Sequence, residues 1–105
     1  MNSADGDTSR ASNDPDALEP MKRAYNQINA NLQGMADLDA AYHIATCLAD
    51  CLRKLADDAA LTRAKCAAKI SDAENLSLRR LADKLGISKA RADQLIRVAR
   101  RKAAP

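Results

Sequence analysis

The chain has almost no aromatic side chains, and this absence limits both its core and its chemistry. Of its 105 residues two are Tyr, and there is no Phe or Trp. Proteins that bind RNA or single strands by stacking bases on aromatic rings are therefore not expected. Twenty-three residues are Ala. Small side chains bury little area each, so a second subunit or closely packed helices would strengthen a thin core.

Residues that serve enzymes and metal sites are also scarce. His43 is the only histidine, and the three cysteines show neither zinc-motif nor disulfide-framework spacing. No Gly-rich phosphate loop and no pair of carboxylates in an apolar setting can be identified. The sequence therefore predicts a protein that is not an enzyme and that holds no cofactor and no metal. Three cysteines without a framework are typical of reduced thiols in a cytoplasm.

One stripe of potential ligands offers an alternative to this prediction. His43, Cys47 and Cys51 recur every four residues along one side of a predicted helix. The outer two would lie about 12 Å apart, so a single ion could reach only two of them. Cys66 or a second subunit would have to complete a metal or redox site. A structural role is favoured, because cysteine commonly packs as a small apolar residue.

Long apolar runs are absent as well. No stretch of about 18 apolar residues occurs, which predicts no contact with a membrane. Residues 1–19 are acidic and rich in Ser, Asn, Asp and Gly, which predicts a disordered tail. An acidic arm that mimics or repels nucleic acid is the functional alternative. Together with the cysteine usage, these features favour a cytoplasmic protein.

Residues 20–75 have the pattern of long helices. Pro20 is suited to the first turn of a helix, and apolar residues come after it at spacings of three and four until Gly34, which predicts a break. A heptad-like seam then predicts a coiled-coil-like helix of about 35 residues that forms a homodimer, with Asp57-Asp58 as an alternative helix start. The predicted seam consists of Leu38, Ala41, Ala45, Leu48, Leu52, Leu55 and Ala59. Leu61, Ala64 and Ala68 form a further apolar face, which predicts a support for the C-terminal helices.

The charge is divided unevenly along the chain. Residues 76–105 contain nine Lys or Arg and two Asp, a net charge of +7, whereas residues 1–75 contain eight basic and twelve acidic residues, a net charge of −4. The overall charge of +3 therefore hides a strongly basic C-terminal segment. Such a segment attracts polyphosphates through counterion release.

The basic segment also has the pattern of two short helices joined by a tight turn. Leu81 and Leu85 would lie on the inner face of the first helix, and Gly86 comes next, where a left-handed turn is needed. Ser77 and Ser88 precede the two helices as N-cap residues. Residues 76–102 are therefore predicted to form a helix-turn-helix. The alternative is a generic helical hairpin that does not contact DNA, and the positive charge of the segment argues against it.

These residues carry a resemblance to a known family. LADKLGIS followed by KARADQLI is similar to the helix-turn-helix superfamily, and in particular to the type found in region 4 of sigma factors. The matching positions are Leu78, Leu81, Ala82, Leu85, Gly86, Ile87, Ser88, Arg91, Gln94 and Leu95. Ala92 departs from the pattern, since the family usually has Val or Ile there. The resemblance implies binding of double-stranded DNA and allows a contact with RNA polymerase. A DNA-binding protein of this kind is expected to be associated with the nucleoid.

The predicted roles depend on the position of each side chain on the second helix. The residues expected to face base edges in the major groove are Lys89, Ala90, Asp93, Gln94 and Arg97. The residues expected to hold phosphates are Arg79, Arg80, Ser88, Arg91, Arg100, Arg101 and Lys102.

The predicted fold is all-α, with a long helical part followed by the helix-turn-helix, and the predicted function is a dimeric transcriptional regulator. Two other functions stay open at this point. One is an adaptor or inhibitor that binds RNA polymerase or another transcription protein. The other is a DNA-associated maintenance protein of a plasmid, phage or transposon.

Overall fold

The computed structural model describes residues 15–103, and over this range the fold is all-α. A 3-10 helix, Pro15–Leu18, precedes four α-helices, which are α1 (Glu19–Gln33), α2 (Leu38–Glu74), α3 (Leu78–Leu85) and α4 (Lys89–Ala103). No strand occurs among the described residues, and none of their helices is long and apolar enough to cross a membrane. The all-α class predicted from the sequence is confirmed.

Helical structure begins inside the segment that the composition predicts as a tail. The 3-10 helix starts at Pro15 and α1 starts at Glu19, so the predicted boundary after residue 19 lies too late. Pro20 is in the first turn of α1, where the missing N–H of proline costs no helical hydrogen bond. Residues 1–14, the rest of the predicted tail, lie outside the described residues.

The break predicted at Gly34 is present between α1 and α2. The Gly34 N–H donates to the carbonyl of Ala30 at 3.1 Å, and its φ of −94° lies in a region open to any residue. Asp37 then begins α2, because its Oδ1 accepts the backbone N–H of Ala40 at 3.1 Å. This N-cap was not predicted from the sequence.

Helix α2 is continuous over 37 residues, so no new helix starts at Asp57-Asp58. It ends in a turn at Asn75, whose φ is +51°. The Leu76 N–H donates to the Ser71 carbonyl at 2.9 Å, which satisfies a terminal carbonyl of the helix. Leu76 thereby packs against the core of the two C-terminal helices.

The chain divides into two compact units between Ala49 and Asp50, within α2. In the first unit, α1 contains no buried residue. In the second unit, the remainder of α2 is followed by α3 and α4. This second unit holds all of the buried apolar residues of the described chain, and the candidate site lies within it.

Candidate nucleic-acid interface

The core of the second unit consists of two small clusters that hold three helices together. In one cluster, Ala64 and Ala67 of α2 pack against Leu95 and Ala99 of α4. The C-terminal part of α2 therefore supports the helical pair, as its apolar face predicts. Ala at these positions lets helix axes approach closely, because interaxial distance depends on the side chains at the contact.

The second cluster joins α3 to α4. Leu81 and Ala82 of α3 pack against Ala92 of α4, and the exposed fractions of Leu81 and Ala92 are both 0%. Ala92 is the position at which the sequence departs from the sigma-factor pattern. Its small side chain is fully enclosed, so the departure gives a close contact between the two helices.

Serine side chains begin both helices of the pair. Ser77 Oγ accepts the backbone N–H of Arg80 at 3.2 Å, and Ser88 Oγ accepts the backbone N–H of Arg91 at 3.0 Å. Each bond satisfies one of the donors that a helix N-terminus leaves free. Both predicted N-caps are confirmed.

Gly86 makes the turn between α3 and α4 in the left-handed region, with φ +70° and ψ +34°. Its N–H donates to the carbonyl of Asp83 at 3.3 Å, and the N–H of Ile87 donates to the carbonyl of Ala82 at 3.0 Å. These two bonds form a Schellman turn. The side chain of Ile87 packs against both core clusters, which fixes the direction in which α4 leaves the turn.

The outward side of α4 brings together most of the residues predicted to read bases. Ala90, Asp93, Gln94 and Arg97 border one shallow depression on the surface of this helix, together with Val98 and Arg101. We call Ala90, Asp93, Gln94, Arg97 and Arg101 the outer face of α4. Lys89 is exposed but does not border the depression. The outer face is polar, and its cations lie toward the C-terminal end of the helix.

Two polar contacts fix side chains on and beside the outer face. Arg97 Nη2 lies 3.0 Å from Asp93 Oδ2, one helical turn away. Arg91 Nη1 donates to Gln94 Oε1 at 2.7 Å, which leaves the amide N–H₂ group of Gln94 free to donate elsewhere. Both contacts lie near solvent and contribute little to stability, but they orient the side chains of Gln94 and Arg97 on the outer face.

Most of the predicted phosphate-binding residues are exposed. Arg79 and Arg80 lie on α3, Ser88 precedes α4, and Arg100 and Arg101 lie on α4. Arg100 Nη2 is 3.6 Å from the carboxylate of Asp72. The side chain of Lys102 lies outside the described residues.

One arginine is placed differently from the prediction. Arg91 is half-buried and lines a groove with Arg63 of α2, instead of pointing outward. Arg91 and the buried Leu95 are one turn apart and therefore share a side of α4, a signal that the sequence already contained.

The histidine and the cysteines are surface residues and not core residues as favoured from the sequence. Cys47, Cys51 and Cys66 are free and exposed, and the ring of His43 makes an edge contact with Tyr42 at 5.6 Å between centroids. Within residues 15–103, no group of three or more His, Cys, Asp or Glu is placed to hold a metal ion.

Comparisons with protein-family models, with curated proteins and with solved structures find no match to this chain. The resemblance to region 4 of sigma factors therefore stays a prediction. A functional proposal must rest on the geometry and charge of the helical pair.

Proposed function

We propose that the protein is a sequence-specific regulator that binds double-stranded DNA through α4. The observation that carries the proposal is the Schellman turn at Gly86, which joins two serine-capped helices over a support helix. This turn directs the polar outer face of α4 away from the core, and a helix presented in this way fits a DNA major groove.

The side chains of the outer face suit different parts of base recognition. Gln94 has the amide group that pairs with the N6 and N7 edge of adenine, and Arg97 has the guanidinium that pairs with guanine. Asp93 holds Arg97 by an ion pair, so the arginine meets the base in a restricted set of orientations. An aspartate can also accept a hydrogen bond from cytosine N4.

Cations around this face suit the phosphate backbone. Arg79, Arg80, Arg100 and Arg101 are exposed, and only Arg100 lies near a carboxylate among the ion pairs of the described residues. Contacts of this kind set the register of a protein on DNA without reading its sequence. The proposed regulator is a homodimer, whose two reading helices would lie about 34 Å apart on a palindromic site.

Selection of bound duplexes from a random pool tests the proposal. We expect an enriched palindrome, and we expect the purified protein to bind it at least about a thousandfold more tightly than random duplex. Clear binding without sequence preference would instead support the maintenance or architectural function. No salt-dependent binding to any duplex would contradict both functions.

An adaptor of transcription proteins is the second candidate, and one observation favours it. All large apolar side chains that are exposed in the described chain lie between Leu18 and Leu55, outside the helix-turn-helix. Most of these side chains belong to the first unit, and exposed apolar surface marks interaction sites. Stable binding of purified RNA polymerase by a chain that binds no duplex would support this function.

A further inference from the structure

A groove of about 360 Å³ lies beside α2, α3 and α4, on a different side of the unit from the outer face of α4. Its apolar lining includes Ile70 of α2, Ile87 of the turn and Leu95 of α4. This volume falls within the range of small-molecule sites in proteins. The groove is open to solvent along one side, so it would take a ligand lying along the surface.

Two arginines are among the residues that line this apolar groove, Arg63 from α2 and Arg91 from α4. The same two arginines border an adjacent, smaller groove of about 190 Å³, so they lie along the boundary of both. No acidic side chain of the described chain lines the larger groove. Asp57 borders the smaller one, but no ion pair within the described residues involves either arginine.

Hydrogen bonds do not offset this positive charge either. The only side-chain hydrogen bond of Arg91 within the described residues is to the neutral amide of Gln94. A bound oxyanion would supply the negative charge that the lining of the larger groove lacks. Arginine pairs with carboxylates and phosphates through two parallel hydrogen bonds.

We propose that this groove binds a small molecule with an apolar body and an oxyanion, with the anion held by Arg63 and Arg91. The apolar body would cover Ile70, Ile87 and Leu95. The site lies apart from the outer face of α4, and the proposal does not rest on DNA binding. The groove is linked to that face through Arg91. A ligand that binds Arg91 would compete with the hydrogen bond from Arg91 to Gln94.

Titration of the full chain with 1-naphthoate, followed by the backbone amide signals in nuclear magnetic resonance, tests the proposal. We expect saturable shifts centred on Cys66, Ile87 and Arg91. 1-Naphthamide has the same body without the charge, and inorganic phosphate has the charge without the body. Both should bind at least about tenfold more weakly, since each lacks one of the two interactions.

Two matched variants separate the arginine from general surface charge. Arg63→Gln should weaken 1-naphthoate by about tenfold through the loss of a charge-assisted bond, and Arg63→Lys should weaken it less. Arg53→Gln removes an exposed arginine from the same helix, outside the groove, and should leave binding unchanged. Circular dichroism should show parent helicity in all three, because Gln and Lys are good helix formers.

Five results would overturn the proposal. The first four are equal binding of 1-naphthamide, equal binding of phosphate, shifts centred on the exposed leucines of α2, and unchanged binding by Arg63→Gln. Competition between random duplex and 1-naphthoate would assign the arginines to DNA phosphates, and would also count against it. DNA binding itself is read separately, from the amide signals of Arg97 and Arg101, so either proposal can fail alone.

Discussion

Gly86 is the residue whose backbone conformation matters most for the turn between α3 and α4. A Cβ built at this position meets no atom within 4 Å, so a side chain here would be disfavoured by φ alone and not by crowding. Gly86→Val should lower the free energy of unfolding of the second unit by about 2 kcal/mol. Gly86→Asn should cost less, because Asn tolerates the left-handed region.

Chemical denaturation followed by circular dichroism measures this effect. Gly34→Ala is the matched control, because Gly34 has a negative φ and a Cβ there would lie 3.6 Å from its nearest neighbour, an ordinary contact. We expect the control to change stability by less than about 0.5 kcal/mol. Equal denaturation of parent and Gly86→Val would show that the turn does not need glycine.

Ala92 is the residue at which the size of the side chain limits the stability of the second unit. It is fully enclosed between α3 and α4, so a Val or Ile at this position would add methyl groups to a contact that is already closed. Ala92→Val should destabilise the second unit by about 1–3 kcal/mol through overpacking. The control is Ala90→Val, which makes the same change at an exposed position of α4.

The same denaturation experiment separates these two variants. Ala90→Val should cost only a few tenths of a kcal/mol, about the difference in helix propensity between Ala and Val. If Ala92→Val were as stable as Ala90→Val, the close contact between α3 and α4 would not be a constraint on this fold.

At the scale of elements, the two helices joined at Gly86 were the most predictable part of the chain. Its boundaries depend on local chemistry, since Ser77, Gly86 and Ser88 each act on backbone groups within a few residues. The direction of Arg91 could also be predicted, from its spacing to Leu95. By contrast, the 3-10 helix at Pro15 lies in a polar segment whose composition favours disorder.

The outer face of α4 gives a prediction about DNA binding. Arg97 is paired with Asp93 in the middle of the helix, whereas Arg101 lies one turn nearer to its C-terminus. Arg97→Ala should cost about 1–3 kcal/mol on the preferred site and relax the preference at one base. Arg101→Ala should weaken all duplexes alike and reduce the salt slope by about one unit.

Fluorescence anisotropy with labelled duplexes at several salt concentrations distinguishes the two arginines. Lys22→Ala serves as a control, since this exposed lysine lies on α1 and pairs with Glu19. It should leave the affinity and the salt slope unchanged. If Arg97→Ala and Arg101→Ala both bind as the parent does, α4 is not the DNA-binding helix.

At the scale of the whole molecule, the two units bury apolar surface very differently. The second unit encloses its own small core, whereas α1 buries no residue. Along α2, Leu38, Leu52 and Leu55 are exposed by 75%, 38% and 50%. The spacing of these leucines could be predicted from the sequence. The spacing alone does not identify the surface that packs against them.

The apolar stripe is wider than a two-stranded coiled coil requires. Leu52 is at an a position of the heptad, with Leu48 and Leu55 at d. Tyr42 and Ile44 then occupy the flanking e and g positions and are exposed, where charged residues are usual in a two-stranded coil. An apolar face of this width is typical of a helix bundle. We therefore expect two copies to associate through several helices.

Leu52→Asp tests this homodimer, because it would bury a charge at the centre of the stripe. Thr46→Asp is the matched control, since Thr46 is exposed and lies on the other side of α2 from the seam. With no Trp and two Tyr, light scattering after size exclusion is best combined with refractive-index detection. We expect the parent and Thr46→Asp at twice the monomer mass of 11.3 kDa, and Leu52→Asp at the monomer mass or unfolded.

Because a variant that unfolds gives no mass for the folded monomer, the measurement on the parent protein decides. A parent of monomer mass at micromolar concentration, with full helicity, would exclude the dimer.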